Sequence, residues 1–318
     1  MDKVEISILT KSRQETLKSQ LGALKWSVHK FLGKSGGGPS AVLRSLINGL
    51  KCEGIKYNHN PRNINEIGAY VIVLSNIKAL REAIELKKSG KIKRLLAGPN
   101  LVLHAFEHDG ILASPEIDYC VVPWERIYIP FEEENPGLKG RIRAWPAGVD
   151  EKFWQPIKMK KSRDVLVYWK TESEEFIRAI ENKLKELGWK PLRVVYGKYN
   201  QSEFKKKLSK VKFSVFISKS ESQGIALAES WAMDVPTLVW NPKDLVTRGK
   251  ASFHLSSCPF LDKKTGLEWV TISDFERILK NFDQLSHAFK PRQWVLDNMT
   301  DRISAQLLLK LFNSEEGK

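Results

Sequence analysis

The stretch KFSVFISKSESQGIALAESWAMDVPTLVW, Lys212 to Trp240, carries the reading of the whole chain. Phe213 to Lys219 is apolar or hydroxylic at every position but its last, the pattern of a strand buried in a parallel sheet. A polar turn, Ser220 to Gly224, follows. Ile225, Leu227, Ala228, Trp231 and Ala232 then recur at helical spacing until Asp234 and Pro236 end the helix. Thr237 to Trp240 is the next apolar run. In an open parallel sheet a ligand lies beyond the carboxyl ends of the strands, so the loop from Ser218 to Gly224 is expected to face one. The N–H groups of Gly224, Ile225 and Ala226 would open the helix and, with its dipole, suit a phosphate.

Two carboxylates, Glu221 and Glu229, bracket this loop and helix start with seven residues between them. The pattern resembles the retaining GT-B glycosyltransferases of the family-four type. Their donor-site signature is a glutamate, a glycine three places later, a second glutamate, and a proline seven places beyond it. Glu221, Gly224, Glu229 and Pro236 fall on these positions. Gln223 stands where the family usually has an aromatic residue, and Asp234–Val235 where it has a small one, which leaves the identity of the sugar open.

Working outward, Asp164 to Trp169 reads as a strand and Lys170 to Ser173 as its loop. The family places an arginine there and a lysine about five residues on, both on the donor diphosphate. Lys170 fills the first role as a point charge. Glu174 and Glu175 occupy the region of the second, leaving Lys243 and Arg248 as alternatives. A helix over Glu174 to Leu187, a strand over Leu192 to Tyr196 and a helix over Phe204 to Leu208 follow. The resemblance puts Gly197, Lys198 and Tyr199 against the nucleotide base, and one strand and helix usual in the family are missing. Ile142 to Pro156 carries Gly148, Val149, Asp150, Phe153 and Pro156, similar to the family's crossing between domains. Ile272 to Leu279 reads as a helix, and Pro291 to Phe312 as the closing helix that returns to the first domain.

In the first half, Val4 to Thr10 is a strand candidate. The basic segment Lys11 to Lys34 has leucine and aromatic positions suited to an amphipathic helix, packed on the protein or lying on a bilayer. Gly36, Gly37 and Gly38 precede a helix bearing Val42, Leu43, Leu46, Ile47 and Leu50. Val28 stands where Walker A needs a glycine, so a P-loop is rejected; the turn resembles the family's glycine loop facing the donor. Strands are expected at Tyr70 to Leu74, Arg94 to Leu96, Tyr119 to Val122 and Arg126 to Ile129, with a helix near Lys78 to Lys88. His104, Glu107 and His108 match H-x-x-E-H, but Gly98-Pro99 and Gly110 leave too short a helix for that zinc chemistry. The resemblance turns this region to the acceptor and makes His104 a catalytic candidate beside Glu221 and Lys170.

With 318 residues and 42% hydrophobic content the chain suits two α/β domains. Three scattered cysteines form no disulfide framework, and the N-terminus shows no apolar leader, which together favour the cytoplasm. The net charge of +15 is spread: 22 Lys and Arg against 16 Asp and Glu up to Asp150, and 30 against 21 beyond. Such an excess suits a solvated basic surface, or peripheral contact with the cytoplasmic face of an anionic membrane. Nucleic acid is not an expected partner.

The resemblance implies a GT-B fold of two Rossmann-like domains facing a cleft: residues 1–148, residues 149–290, and a helix over 291–318 packing back on the first. It implies transfer of a sugar from a nucleotide sugar, a UDP- or GDP-sugar, to an unknown acceptor, with retention and without metal or other cofactor. Glu229 would bind the ribose and Glu221 the sugar. A GT-B sugar-nucleotide epimerase, and a non-catalytic basic module binding nucleic acid or an anionic surface, are the alternatives.

Overall fold

Short apolar runs closed by polar or glycine-bearing turns become strands buried on both faces, and the amphipathic segments between them become covering helices. The computed structural model describes residues 5–18, 38–157, 163–248 and 250–314. They divide into two units: one takes in the described chain up to Gly148, Thr247–Ala251 and the chain from Asp301 onward, and the other Val149–Val246 and Ser252–Thr300.

The first unit holds β1 (Ile6–Leu9), α1 (Arg13–Lys18), α2 (Gly38–Cys52), β2 (Tyr57–His59), β3 (Tyr70–Ser75), α3 (Ile77–Lys88), β4 (Arg94–Asn100), β5 (Tyr119–Val122), α4 (Tyr128–Glu134) and β6 (Ile142–Ala144). Its sheet is parallel throughout, in the order β2-β1-β3-β4-β5-β6. Val71, Val73, Leu95 and Ala97 face a core shared with Leu80, Ala83 and Ile84 of α3 and Phe131 of α4. The strand expected at Arg126 to Ile129 is instead a tight turn running into α4. Pro130 and Phe131 are the residues this helix buries; Ile127 and Tyr128 pack partly against the same core, and Ile129 stays exposed.

The second unit holds β7 (Asp164–Trp169), α5 (Glu174–Glu186), β8 (Lys190–Val195), α6 (Gln201–Leu208), β9 (Phe213–Ile217), α7 (Ile225–Ala232), β10 (Thr237–Trp240), the ribbon β11 (Leu245–Arg248) and β12 (Ala251–His254) apart from its tip Thr247–Ala251, β13 (Gly266–Trp269), α8 (Ile272–Lys280), α9 (Phe282–Ser286) and α10 (Pro291–Asn298). Five parallel strands lie in the order β13-β10-β9-β7-β8. Strand alternation splits β7 between two cores: Leu166 and Tyr168 meet α6 and α7, while Val165 and Val167 meet α5 and α8.

The segment expected to close the chain as one helix is two. It breaks at Met299–Thr300, where Val149 N–H donates to Met299 O (2.9 Å) and Val149 bridges Thr300. The chain continues as α11 (Asp301–Asn313) in the first unit, against α2. Gly49 permits this approach, since a Cβ there would lie 2.2 Å from Asp301 O. Trp145 Nε1 donates to Ser304 O (2.9 Å), so the buried indole has a partner. No described helix is long and apolar enough to cross a membrane.

Candidate functional site

The strand order of the second unit reverses direction between β7 and β9, the point at which an open parallel sheet leaves a crevice beyond its carboxyl ends. Lys170 leaves β7 there, and Ser218–Gly224 leaves β9. Lys170 N–H donates to Ile217 O (3.0 Å) and Lys219 N–H to Thr171 Oγ1 (2.9 Å), so the two loops are laced together. Glu221 N–H donates to Ser256 O (2.8 Å), which anchors the loop from its other side.

Across this crevice Lys170 Nζ donates to both oxygens of Glu221 at 2.8 Å. The side chains are 24% and 15% exposed, so the pair is partly shielded from water and salt. The ring of Tyr196, at the end of β8, lies 4.9 Å below the ammonium and adds a cation–π contact. Glu174, in the region where the resemblance implies a second cation, is itself bound to Arg193 (2.6 Å) and Arg178 (3.2 Å).

Gly224 caps α7 in the left-handed region, φ +76°, and no side chain caps that helix start. Gln223, before it, is buried. Ile225 and Ala226 supply first-turn N–H groups, which have no partner inside a helix. One turn on, Glu229 is 7% exposed, and Gln201 Nε2, from the first residue of α6, donates to its Oε1 (3.3 Å). Beside these carboxylates the hydroxyls of Tyr168 and Tyr199 lie 3.1 Å apart. Burial pushes the Tyr168 phenol well above its usual range, and Tyr199, Glu221 and Glu229 add to the shift. Burial likewise raises Tyr199, offset in part by the Tyr168 hydrogen bond and reinforced by Glu229. Both phenols therefore stay protonated hydrogen-bonding groups. Gly197, φ +75°, and Lys198 form an exposed turn closed by Lys198 N–H to Val195 O (3.0 Å).

The second unit thus assembles Lys170, Glu221, Gln223, Gly224, Ile225, Ala226, Glu229 and Tyr199 around one helix start. Tyr168, Tyr196 and Gln201 join them. Their signal in the sequence was positional: two residues before Lys170, one before Gly197, and first in a helix whose Asn200–Glu203 capping box fixes its start.

His104 belongs to the first unit, in the segment after β4. Its Nδ1 lies 2.7 Å from Glu134 Oε1, and Glu134 Oε2 accepts Ala105 N–H (2.7 Å). The carboxylate thereby fixes the orientation of the imidazole through Nδ1. Phe106 stacks on the imidazole with centroids 5.1 Å apart. His108 diverges: it starts a left-handed turn with Asp109 and Gly110 and lines an open cavity of about 570 Å³ with Arg81, Glu85 and Lys88 of α3. The two histidines therefore share no helix. Among the described residues no group of three or more His, Cys, Asp or Glu is placed to hold a metal ion. Gly36 and Gly37 lie outside the described residues, as does most of Lys11 to Lys34; Gly38 is the exposed first residue of α2.

No protein-family profile matches the sequence, and no curated protein sequence does. Solved structures match along almost the whole chain. The apo lipopolysaccharide outer core galactosyltransferase WaaB aligns with a TM-score of 0.52 and 10% identity over 97% of this chain and 99% of that one. Sucrose-phosphate synthase from Thermosynechococcus elongatus aligns at 0.56 and 12% identity over 97% and 98%. The catalytic domain of starch synthase IV from Arabidopsis thaliana, solved with ADP and acarbose, aligns at 0.53 and 10% identity over 87% and 78%. At such identities the likeness is one of architecture, and with its two parallel-sheet units this chain has the GT-B fold.

Proposed function

We propose that this protein is a glycosyltransferase that moves a sugar, with retention of anomeric configuration, from a nucleotide-sugar donor to a hydroxyl-bearing glycan or glycolipid. The observation that carries this is the gathering of Lys170, Glu221, Glu229 and the start of α7 at the switch point of one sheet. A nucleoside diphosphate needs positive potential and N–H donors for its phosphates, and carboxylate acceptors for its ribose. This set provides both. Starch synthase IV, with the same fold, was solved with ADP and acarbose, which favours a nucleotide ligand here.

In this reading the diphosphate meets the N–H groups of Gly224, Ile225 and Ala226, and Lys170 balances the charge that grows on the leaving phosphate. Glu229, oriented by Gln201, accepts from the ribose hydroxyls, and Glu221 accepts from the sugar hydroxyls. The anomeric carbon–phosphate oxygen bond breaks as the bond to the acceptor oxygen forms, and the acceptor's proton passes to the departing phosphate. The positive charge required comes from the chain itself, so the reaction is proposed to run without a divalent ion.

A thermal-shift panel of UDP-, GDP- and ADP-sugars with wild type and Glu229→Ala tests this. A donor at about a hundred times its Kd adds roughly 2.7 kcal/mol, several degrees in midpoint for units of this size. One nucleotide series should stabilise the wild type and not the variant. Equal shifts in both would remove Glu229 from the site, and no shift with any donor would remove the reading.

A further inference from the structure

Lys170 is the lysine that this site would offer a diphosphate, yet its ammonium is held by both oxygens of Glu221 at 2.8 Å. Tyr196 closes over its other side at 4.9 Å. Glu174, on the neighbouring helix start, is committed to Arg193 and Arg178. A phosphate that reaches Lys170 therefore competes with a carboxylate already seated there.

We propose that the Lys170–Glu221 pair makes the site discriminate between an intact sugar nucleotide and the free nucleoside diphosphate. This inference rests on the donor reading above and adds a property of the pair to it. A free diphosphate that takes Lys170 leaves Glu221 facing a new negative charge at a site only 15% exposed, with its cation gone. Stranding one member of a shielded pair is costly. A sugar nucleotide carries its own remedy: its sugar hydroxyls donate to the displaced carboxylate and replace the lysine's hydrogen bonds. Glu221 is thus a penalty against the product and a binding group for the donor. The consequence is directional, since the nucleoside diphosphate left after transfer loses the hydroxyls that kept Glu221 satisfied and is expelled as Glu221 returns to Lys170.

The anchoring around Glu221 makes this a contest between fixed groups. Its backbone is held by Ser256 O at 2.8 Å. Ser257 Oγ donates to Ser218 O at 2.5 Å at the base of the same loop. The carboxylate can turn on its side chain without the loop leaving its place.

The test is titration calorimetry of UDP, GDP and ADP, each beside its sugar nucleotides, with wild type, Glu221→Gln and Glu221→Ala. The wild type should bind the sugar nucleotide more tightly than its nucleoside diphosphate. Removing the charge should strengthen the free diphosphate about tenfold, equivalent to 1.4 kcal/mol, and weaken the sugar nucleotide, so that the order reverses. Two variants of different size guard against a folding defect, and their unliganded melting curves report one. If nucleotides bind but neither variant gains affinity for the free diphosphate, the discrimination proposal is overturned while the donor site stands. If neither wild type nor variants bind any nucleotide, the donor reading falls and takes this inference with it.

Discussion

At the carboxyl edge of the second unit's sheet the polar side chains are sunk among aromatic rings, whereas at the same edge of the first unit they stand beside exposed apolar ones. Glu229 and Tyr168 are 7% and 3% exposed, and Phe204, Phe216 and Tyr199 surround the phenol. His104 is half-exposed, next to Phe106 at 58% and close in sequence to Leu103 at 78%. Burying a polar group is tolerated only where its partners are fixed, so the second edge has one geometry and suits a ligand of constant shape. An exposed ring beside an oriented imidazole costs little and adapts to ligands that vary. Under the proposed function this contrast fits a nucleotide held by the second unit and an acceptor by the first.

The largest expected effect breaks that assignment if it fails. His104→Ala should lower transfer by about ten- to a hundredfold, the cost of an unmet hydrogen bond to the acceptor (roughly 1–3 kcal/mol), while donor binding by calorimetry stays unchanged. Glu134→Gln should fall between it and wild type, since the amide still offers a hydrogen-bonding partner to Nδ1. A loss of donor affinity in either variant would mean that the two edges do not divide the substrates in this way.

Gly224→Ala should come next. A side chain in the left-handed region costs about 1–2 kcal/mol, and its Cβ would sit 2.8 Å from Leu227 Cδ1. The melting midpoint should drop by several degrees, and the helix start that would meet the phosphate should shift, weakening the donor. This sharpens the comparison, because any contribution of His104 to the acceptor should persist with a donor that still binds.

The second unit's strands and the placement of its candidate residues were legible because that candidate site is local. Glu221, Gly224 and Glu229 lie within one loop and one helix, where sequence spacing is also spatial spacing, and β7, β9 and β10 are continuous apolar runs with sharp polar ends. What spacing could not show was the pairing of Lys170 with Glu221, 51 residues apart, or of His104 with Glu134, 30 residues apart. Those depend on which strands are neighbours, and β7 pairs with β9 rather than only with β8. The run at Arg126 to Ile129 misled because three residues of β-branched and aromatic character, Ile127, Tyr128 and Ile129, fit a strand or the start of a helix equally. The break at Met299 was invisible because a backbone pairing to Val149, 150 positions earlier, causes it.

The smallest expected effect leaves catalysis untouched and reads the two regions through their thiols. Cys120 lies in β5 of the first unit, and Cys258 after β12, in the second. Burial pushes each thiol up to about 12. Cys52, at the end of α2, is exposed. Only the thiolate is alkylated, so iodoacetamide at pH 8 should modify Cys52 and leave the other two until the protein unfolds, as peptide mass mapping would show. Cys258 N–H donates to Ser256 Oγ (3.2 Å), and Ser256 O holds Glu221 N–H, so opening of the Glu221 loop loosens the cover of Cys258 and not that of Cys120. A saturating nucleotide sugar should therefore slow the residual alkylation of Cys258 alone. Equal protection of both cysteines would place the ligand's influence on the fold as a whole instead of on one edge.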